Sequence, residues 1–174
     1  MDSLFFALQP DPAAAGQAVE LAEGLRAVHD LKARATGAQR LHVTLHHLGS
    51  PTEETVARAL GAAADLESPA FEVCFDRVAS FESRARKRPL VLLSRQAMRP
   101  LQAFRSALGA SLRLHGLAAD QGAFTPHLTL LRDAHAVPEQ SVAPLGWKAR
   151  EFVLIRSVIG QGRYVVLGRW PLHG

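Results

Sequence analysis

His42, Val43, Thr44 and Leu45 return as His127, Leu128, Thr129 and Leu130, displaced by 85 positions in a chain of 174 residues. A repeat at half-chain distance argues for two similar lobes facing each other, each contributing one copy. In an extended strand alternate side chains share a face. Each copy therefore presents one imidazole and one hydroxyl on one side, while Val43, Leu45, Leu128 and Leu130 pack on the other. Two such strands side by side make a cleft holding two histidines and two threonines. Either tetrad alone is ordinary, since β-branched residues suit strands and a lone strand histidine is usually a hydrogen-bonded, half-buried residue. The matched pair has no simple packing rationale.

The rest of the chain fits that frame. With 48% hydrophobic and 21% charged residues, residues 1–174 suffice for a single bilobal domain with a shared core. No apolar run approaches a membrane span, and Met1, Asp2 and Ser3 before Leu4 to Leu8 lack the pattern of a signal peptide, so the expectation is a cytoplasmic location without membrane contact. The single Cys74 excludes an internal disulfide and a cysteine-rich metal site, and its alternating surroundings, Phe71 to Asp76, give it a structural role. The net charge of +4 comes mostly from arginine, whose forked donors match phosphate geometry. A general preference for arginine over lysine accounts for much of that excess. The local cluster Arg84, Arg86, Lys87 and Arg88 is the more specific candidate for contact with a polyanion.

Apolar spacing and capping residues predict the element order. Leu4 to Leu8 is a strand, and Asp11 with Pro12 starts a helix reaching about Lys32. Leu41 to Leu48 is a strand, and Thr52, Glu53 and Glu54 open a helix through Leu66. Phe71 to Phe81 and Leu90 to Ser94 form a hairpin across the basic loop. A helix spans Pro100 to Leu114, and Pro126 leads into the second tetrad strand. Pro138 and Pro144 mark Ala134 to Leu145 as irregular. Phe152 to Ile159 and Tyr164 to Trp170 close the chain as a hairpin. Intermixed helices and hairpins give an α+β class.

Two imidazoles and two hydroxyls suit metal-free cleavage of a phosphodiester. An ordinary histidine pKa near 6.5 lets one ring be neutral and the other charged, so one accepts a proton from water while the other protonates the departing alkoxide. Threonine hydroxyls two residues along donate to the non-bridging oxygens. His46 shares the strand face of His42 and Thr44 and reaches toward the mouth of the cleft, whereas His47 points away. Three histidines in six residues also raise a metal site, but His42 and His46 on one strand lie too far apart for joint ligation without His127, and no acidic residue lies close in sequence.

The two tetrads and their neighbours resemble the 2H phosphoesterase superfamily, and within it the RNA 2',3'-cyclic phosphodiesterases also called 2'-5' RNA ligases. The likeness takes in Leu4 to Leu8, Leu41 to Thr44 with Leu48 and Gly49, Arg88 to Leu92, Phe124 to Leu130, Arg132, Ser157 to Gly162, Tyr164 and Arg169 to Leu172. It implies a bilobal α+β fold, with two pseudo-symmetric antiparallel sheets, helices on the outer faces and a central cleft. It also implies hydrolysis of a terminal 2',3'-cyclic phosphate to a 2'-phosphate with no cofactor and no metal, with reversible 2'-5' joining as a side activity. By the resemblance His42 is the general acid, His127 the general base, Thr44 and Thr129 hold phosphate oxygens, and Arg132 adds positive charge. RNA ends or small cyclic nucleotides are the implied partners, with a monomer and no obligate protein partner. Competing readings keep the fold but change the substrate to a small cyclic nucleotide or a 2'-5' oligonucleotide, or keep the cleft as an RNA-end-binding module. The chain departs from the family at His46 and His47, where a basic residue followed by phenylalanine is common.

Overall fold

The computed structural model describes Met1–Gly174 throughout. The chain runs β1 (Ser3–Leu8), α1 (Pro12–His29), a 3-10 turn (Ala38–Arg40), β2 (Val43–Gly49), α2 (Glu53–Ala64), β3 (Phe71–Ser80), β4 (Arg88–Leu93), α3 (Arg99–Leu114), β5 (Leu128–Asp133), β6 (Gln140–Ala149), β7 (Glu151–Val158) and β8 (Arg163–Pro171). Two four-stranded antiparallel sheets result, ordered β2-β1-β7-β8 and β5-β4-β3-β6. The units β1-α1-β2 and β4-α3-β5 occupy equivalent places, and each ends in an edge strand that carries one tetrad.

Local chemistry sets the helix ends. The Asp11 carboxylate accepts from the Ala14 N–H at 2.8 Å and Pro12 fills the first turn, where no N–H is needed. The helix stops at Asp30, in left-handed conformation with φ 51°, short of the predicted Lys32. The N–H groups of Lys32 and Ala33 turn instead to the Asp133 carboxylate, each at 2.8 Å. In α2 the Thr52 hydroxyl accepts from Thr55 N–H, and Glu53 and Glu54 lie at the positive helix end as expected.

Alternation along the strands separates two apolar layers. Leu4, Phe6 and Leu8 join the main core, a cluster that runs through both sheets and the helices, while Phe5 and Ala7 belong to a small cluster with Val153 and Ile155 on the opposite face. Phe104 of α3 ties the sheets together, its ring 5.0 Å from Phe152 of β7 and 5.5 Å from Phe71 of β3. Ala59, Ala62 and Ala63 let α2 approach α3 closely, and Ser111 Oγ donates to the Ala62 carbonyl at 2.8 Å.

One element departs from the sequence expectation. The stretch predicted to be irregular, Ala134 to Leu145, contains the first half of β6. Its Pro144 is tolerated because β6 is an edge strand and its register against β3 slips between Phe75 and Arg77, so no ladder N–H is demanded there.

Candidate active site

Each tetrad histidine lies one residue before its strand, and each ring is held by the same device. His42 Nδ1 donates to the Arg40 carbonyl at 2.8 Å, and His127 Nδ1 donates to the Thr125 carbonyl at 2.9 Å. A carbonyl can only accept, so both rings carry their proton on Nδ1 when neutral, leaving Nε2 to exchange a proton with a bound molecule. Aromatic neighbours fix the ring planes. His42 lies against Phe5 at 5.0 Å and meets Tyr164 edge-on at 5.5 Å, while His127 meets Phe81 edge-on at 4.9 Å.

A cleft of about 680 Å³ joins the two tetrads and is lined by His42, Thr44, His127, Thr129 and Arg132 together with Arg34, Arg40, Lys87 and Tyr164. No carboxylate lines it, so its field favours an anion. A larger groove of about 1110 Å³ lies elsewhere, between Phe71 and Phe104, and holds no histidine; chemistry, not size, selects the smaller cleft. Burial holds the His42 imidazole below its ordinary range by withholding water from the charged form; the bond to Arg40 works against this, and positive charge on His127, Arg40 and Arg132 adds to the lowering.

A β-bulge in each tetrad strand sets the direction of the side chains beyond the threonine. Pairing runs Ala7 to Thr44 and then Phe6 to His46 in the first sheet, and Val91 to Thr129 and then Leu90 to Leu131 in the second. The extra residue reverses the alternation past the bulge. His46 therefore falls on the core side, only 4% exposed, at the place equivalent to Leu131. Its Nε2 donates to the Arg105 carbonyl at 2.9 Å and its Nδ1 has no partner. This corrects the expectation that His46 reaches the cleft mouth. His47, expected to point away, pairs with Phe5 and shares the cleft-side face of β2 as Arg132 does on β5, though it does not line the cleft.

The basic loop divides residue by residue. Lys87 lines the cleft, whereas Arg84 and Arg86 are exposed outside it and Arg88 pairs with Asp133 within the sheet. Three further lining residues, Arg34, Arg40 and Tyr164, lie outside the sequence-based candidates. Arg40 stands two residues before His42, where a cation flanking the tetrad is visible in the sequence. Tyr164, in the closing hairpin, is among the residues that carry the family likeness but has no site role there, and Arg34 arrives from a loop that no local pattern marks.

A family model described as the 2'-5' RNA ligase superfamily matches residues 10–158. The chain belongs to that superfamily. This superfamily member is 30% identical to the RNA 2',3'-cyclic phosphodiesterase of Escherichia coli (strain K12) over 143 residues, 80% of each protein. The crystal structure of E. coli LigT complexed with 3'-AMP superposes with a TM-score of 0.81 at 28% identity, covering 99% of both chains. TT0787 of Thermus thermophilus shares the fold, with a TM-score of 0.79 at 22% identity over 99% of this chain and 98% of that one. Superfamily membership makes the chain a 2H phosphoesterase, an enzyme of the hydrolase class. No helix of this superfamily member is long and apolar enough to cross a membrane.

Proposed function

We propose that the cleft opens terminal 2',3'-cyclic phosphates on RNA, leaving a 2'-phosphomonoester. The observation that carries this reading is the matched pair of imidazoles, each clamped through Nδ1 to a backbone carbonyl and each lining one carboxylate-free cleft. The E. coli relative that bears the name RNA 2',3'-cyclic phosphodiesterase supports the substrate class.

His127 Nε2 takes a proton from water, whose oxygen attacks phosphorus in line with the 3' oxygen. As the P–O3' bond breaks, His42 Nε2 gives its proton to the departing 3' oxygen, and solvent exchange restores both rings. Each positioned transfer is worth about a hundred- to ten-thousand-fold in rate. The Thr44 and Thr129 hydroxyls donate to the non-bridging oxygens as charge builds, and Arg132 offsets that charge. Burial favours the neutral ring of His42 in the free protein, and an anionic phosphate beside it favours the charged form that the acid role needs. A 5'-hydroxyl in the place of water gives a 2'-5' linkage by the same steps, and the reverse cleaves it.

The test is product analysis in excess chelator. Purified protein converts adenosine 2',3'-cyclic phosphate and an oligonucleotide with the same end to 2'-phosphates. His42→Ala and His127→Ala each lose turnover while keeping the far-ultraviolet spectrum of the parent. A 3'-phosphate product sinks the regiochemistry, loss of activity with chelator sinks the metal-free route, and tight binding without turnover favours an end-binding module.

A further inference from the structure

We infer that the guanidinium of Arg40, laid on the ring of Tyr164, is the surface on which the base of the terminal nucleotide stacks. This rests on the proposed reaction, because that reaction fixes the end of the cleft at which the nucleoside lies. Attacking water and departing 3' oxygen occupy opposite sides of phosphorus. Water is activated at His127, so the ribose that carries the 3' oxygen, and its base, lie on the His42 side.

On that side the Arg40 Cζ sits 4.7 Å from the centroid of Tyr164, whose ring meets Phe5 at 5.7 Å and His42 at 5.5 Å. The guanidinium is thus backed by an aromatic ring while Arg40 stays exposed and lines the cleft. Bases stack on arginine planes as they do on aromatic rings, with little dependence on base identity. Arg40 is exposed and pairs with no carboxylate, so its charge is not committed elsewhere. Its backbone is fixed by the 3-10 turn and by the bond from His42 Nδ1 to its carbonyl, which ties the stacking surface directly to the acid. The turn between β7 and β8 backs it, where a Cβ at Gly162 would lie 4.0 Å from Arg40 Nη1.

The alternative places for a base are weaker. His47 lies on the cleft-side face but outside the lining, its Nδ1 accepting from the Gly49 N–H at 3.2 Å. Phe81 stands beside His127, on the side of the attacking water.

Calorimetric titration of the intact protein with adenosine 2'-monophosphate and, separately, with inorganic phosphate tests the assignment. The preference for the nucleotide over phosphate is expected to fall about tenfold in Arg40→Met and equally in Arg40→Lys, which keeps the charge but not the flat face. Full preference in Arg40→Lys overturns the stacking role, as does equal weakening of both ligands in Arg40→Met, which assigns Arg40 to the phosphate. Turnover of adenosine 2',3'-cyclic phosphate by the parent protein is measured alongside. An Arg40-dependent preference without turnover sinks the reaction and keeps the stacking surface; turnover without that preference does the reverse.

Discussion

Asp133 Oδ2 and the backbone N–H of Ala33 meet at 2.8 Å across 100 residues of sequence. The same carboxylate accepts from the N–H groups of Lys32 and His135, and these bonds hold its pKa down to about 2 from the ordinary 3.8. Thr36 N–H adds a bond to the Leu130 carbonyl at 2.7 Å, so the loop that brings Arg34 to the cleft is sewn to the second tetrad strand.

A carboxyl whose pKa is lower in the folded state stabilises above its unfolded value and loses that contribution as pH falls through the folded one. The Asp133 contribution, roughly 2 kcal/mol for a shift of this size, is expected in full above pH 5 and to fade between pH 4 and about 2. Urea denaturation across that range checks it. Asp133→Asn should start less stable and show a flatter acid limb; an unchanged limb sinks the assignment.

His42 is expected to titrate below the usual imidazole range in the free protein, chiefly from burial. Inorganic phosphate should move its midpoint upward, followed by the ring carbon–proton resonances in an NMR titration. Arg40→Met should also raise it in the free state, by removing a neighbouring positive charge. A His42 midpoint indifferent to phosphate places the anion somewhere else.

Thr44→Val and Thr129→Val keep strand propensity and remove one donor each. Turnover should fall by about a hundredfold in either, with melting temperature little changed. If KM alone rises, the hydroxyls bind the ground state as strongly as the transition state.

His46 is buried with an unpartnered Nδ1, and burial holds its pKa below the ordinary 6.5. Its protonation opposes folding, so stability is full above about pH 6.5 and erodes as pH falls toward the folded value. His46→Leu, the residue of the equivalent place in the second sheet, should remove that erosion and leave turnover within about twofold. A large fall in turnover would falsify the placement of His46 outside the reaction.

Lys87 alone of the basic loop lines the cleft. Lys87→Met should lower kcat/KM for cyclic mononucleotide and oligonucleotide alike, whereas Arg84→Met with Arg86→Met should act only on the oligonucleotide and reduce its salt dependence. Equal effects on both substrates would assign the outer arginines to the reacting phosphate.

The histidines and threonines were legible because a strand period of two carries them to one face, and because the repeat removed the bland explanation for either copy alone. What the period could not carry was the bulge after Thr44. A residue inserted into a ladder leaves no mark in a hydrophobic pattern, so His46 and His47 exchange sides relative to a simple alternation. The proline-bearing β6 was hidden for a related reason, since Pro144 excludes only a central strand and nothing local announces an edge. Tyr164 and Arg34 belong to the cleft through long-range pairing, which one-dimensional spacing does not encode.

The second sheet is assembled from one continuous stretch, residues 71–149, whereas the first joins residues 3–49 to residues 151–171. On a ribosome every strand of the His127 half is therefore available before β1 can meet β7. A nascent chain halted ahead of Glu151 holds one finished sheet and a two-stranded remnant of the other. The last segment to emerge also carries Tyr164 to the rim beside His42, so the His42 side of the cleft is completed after the His127 side.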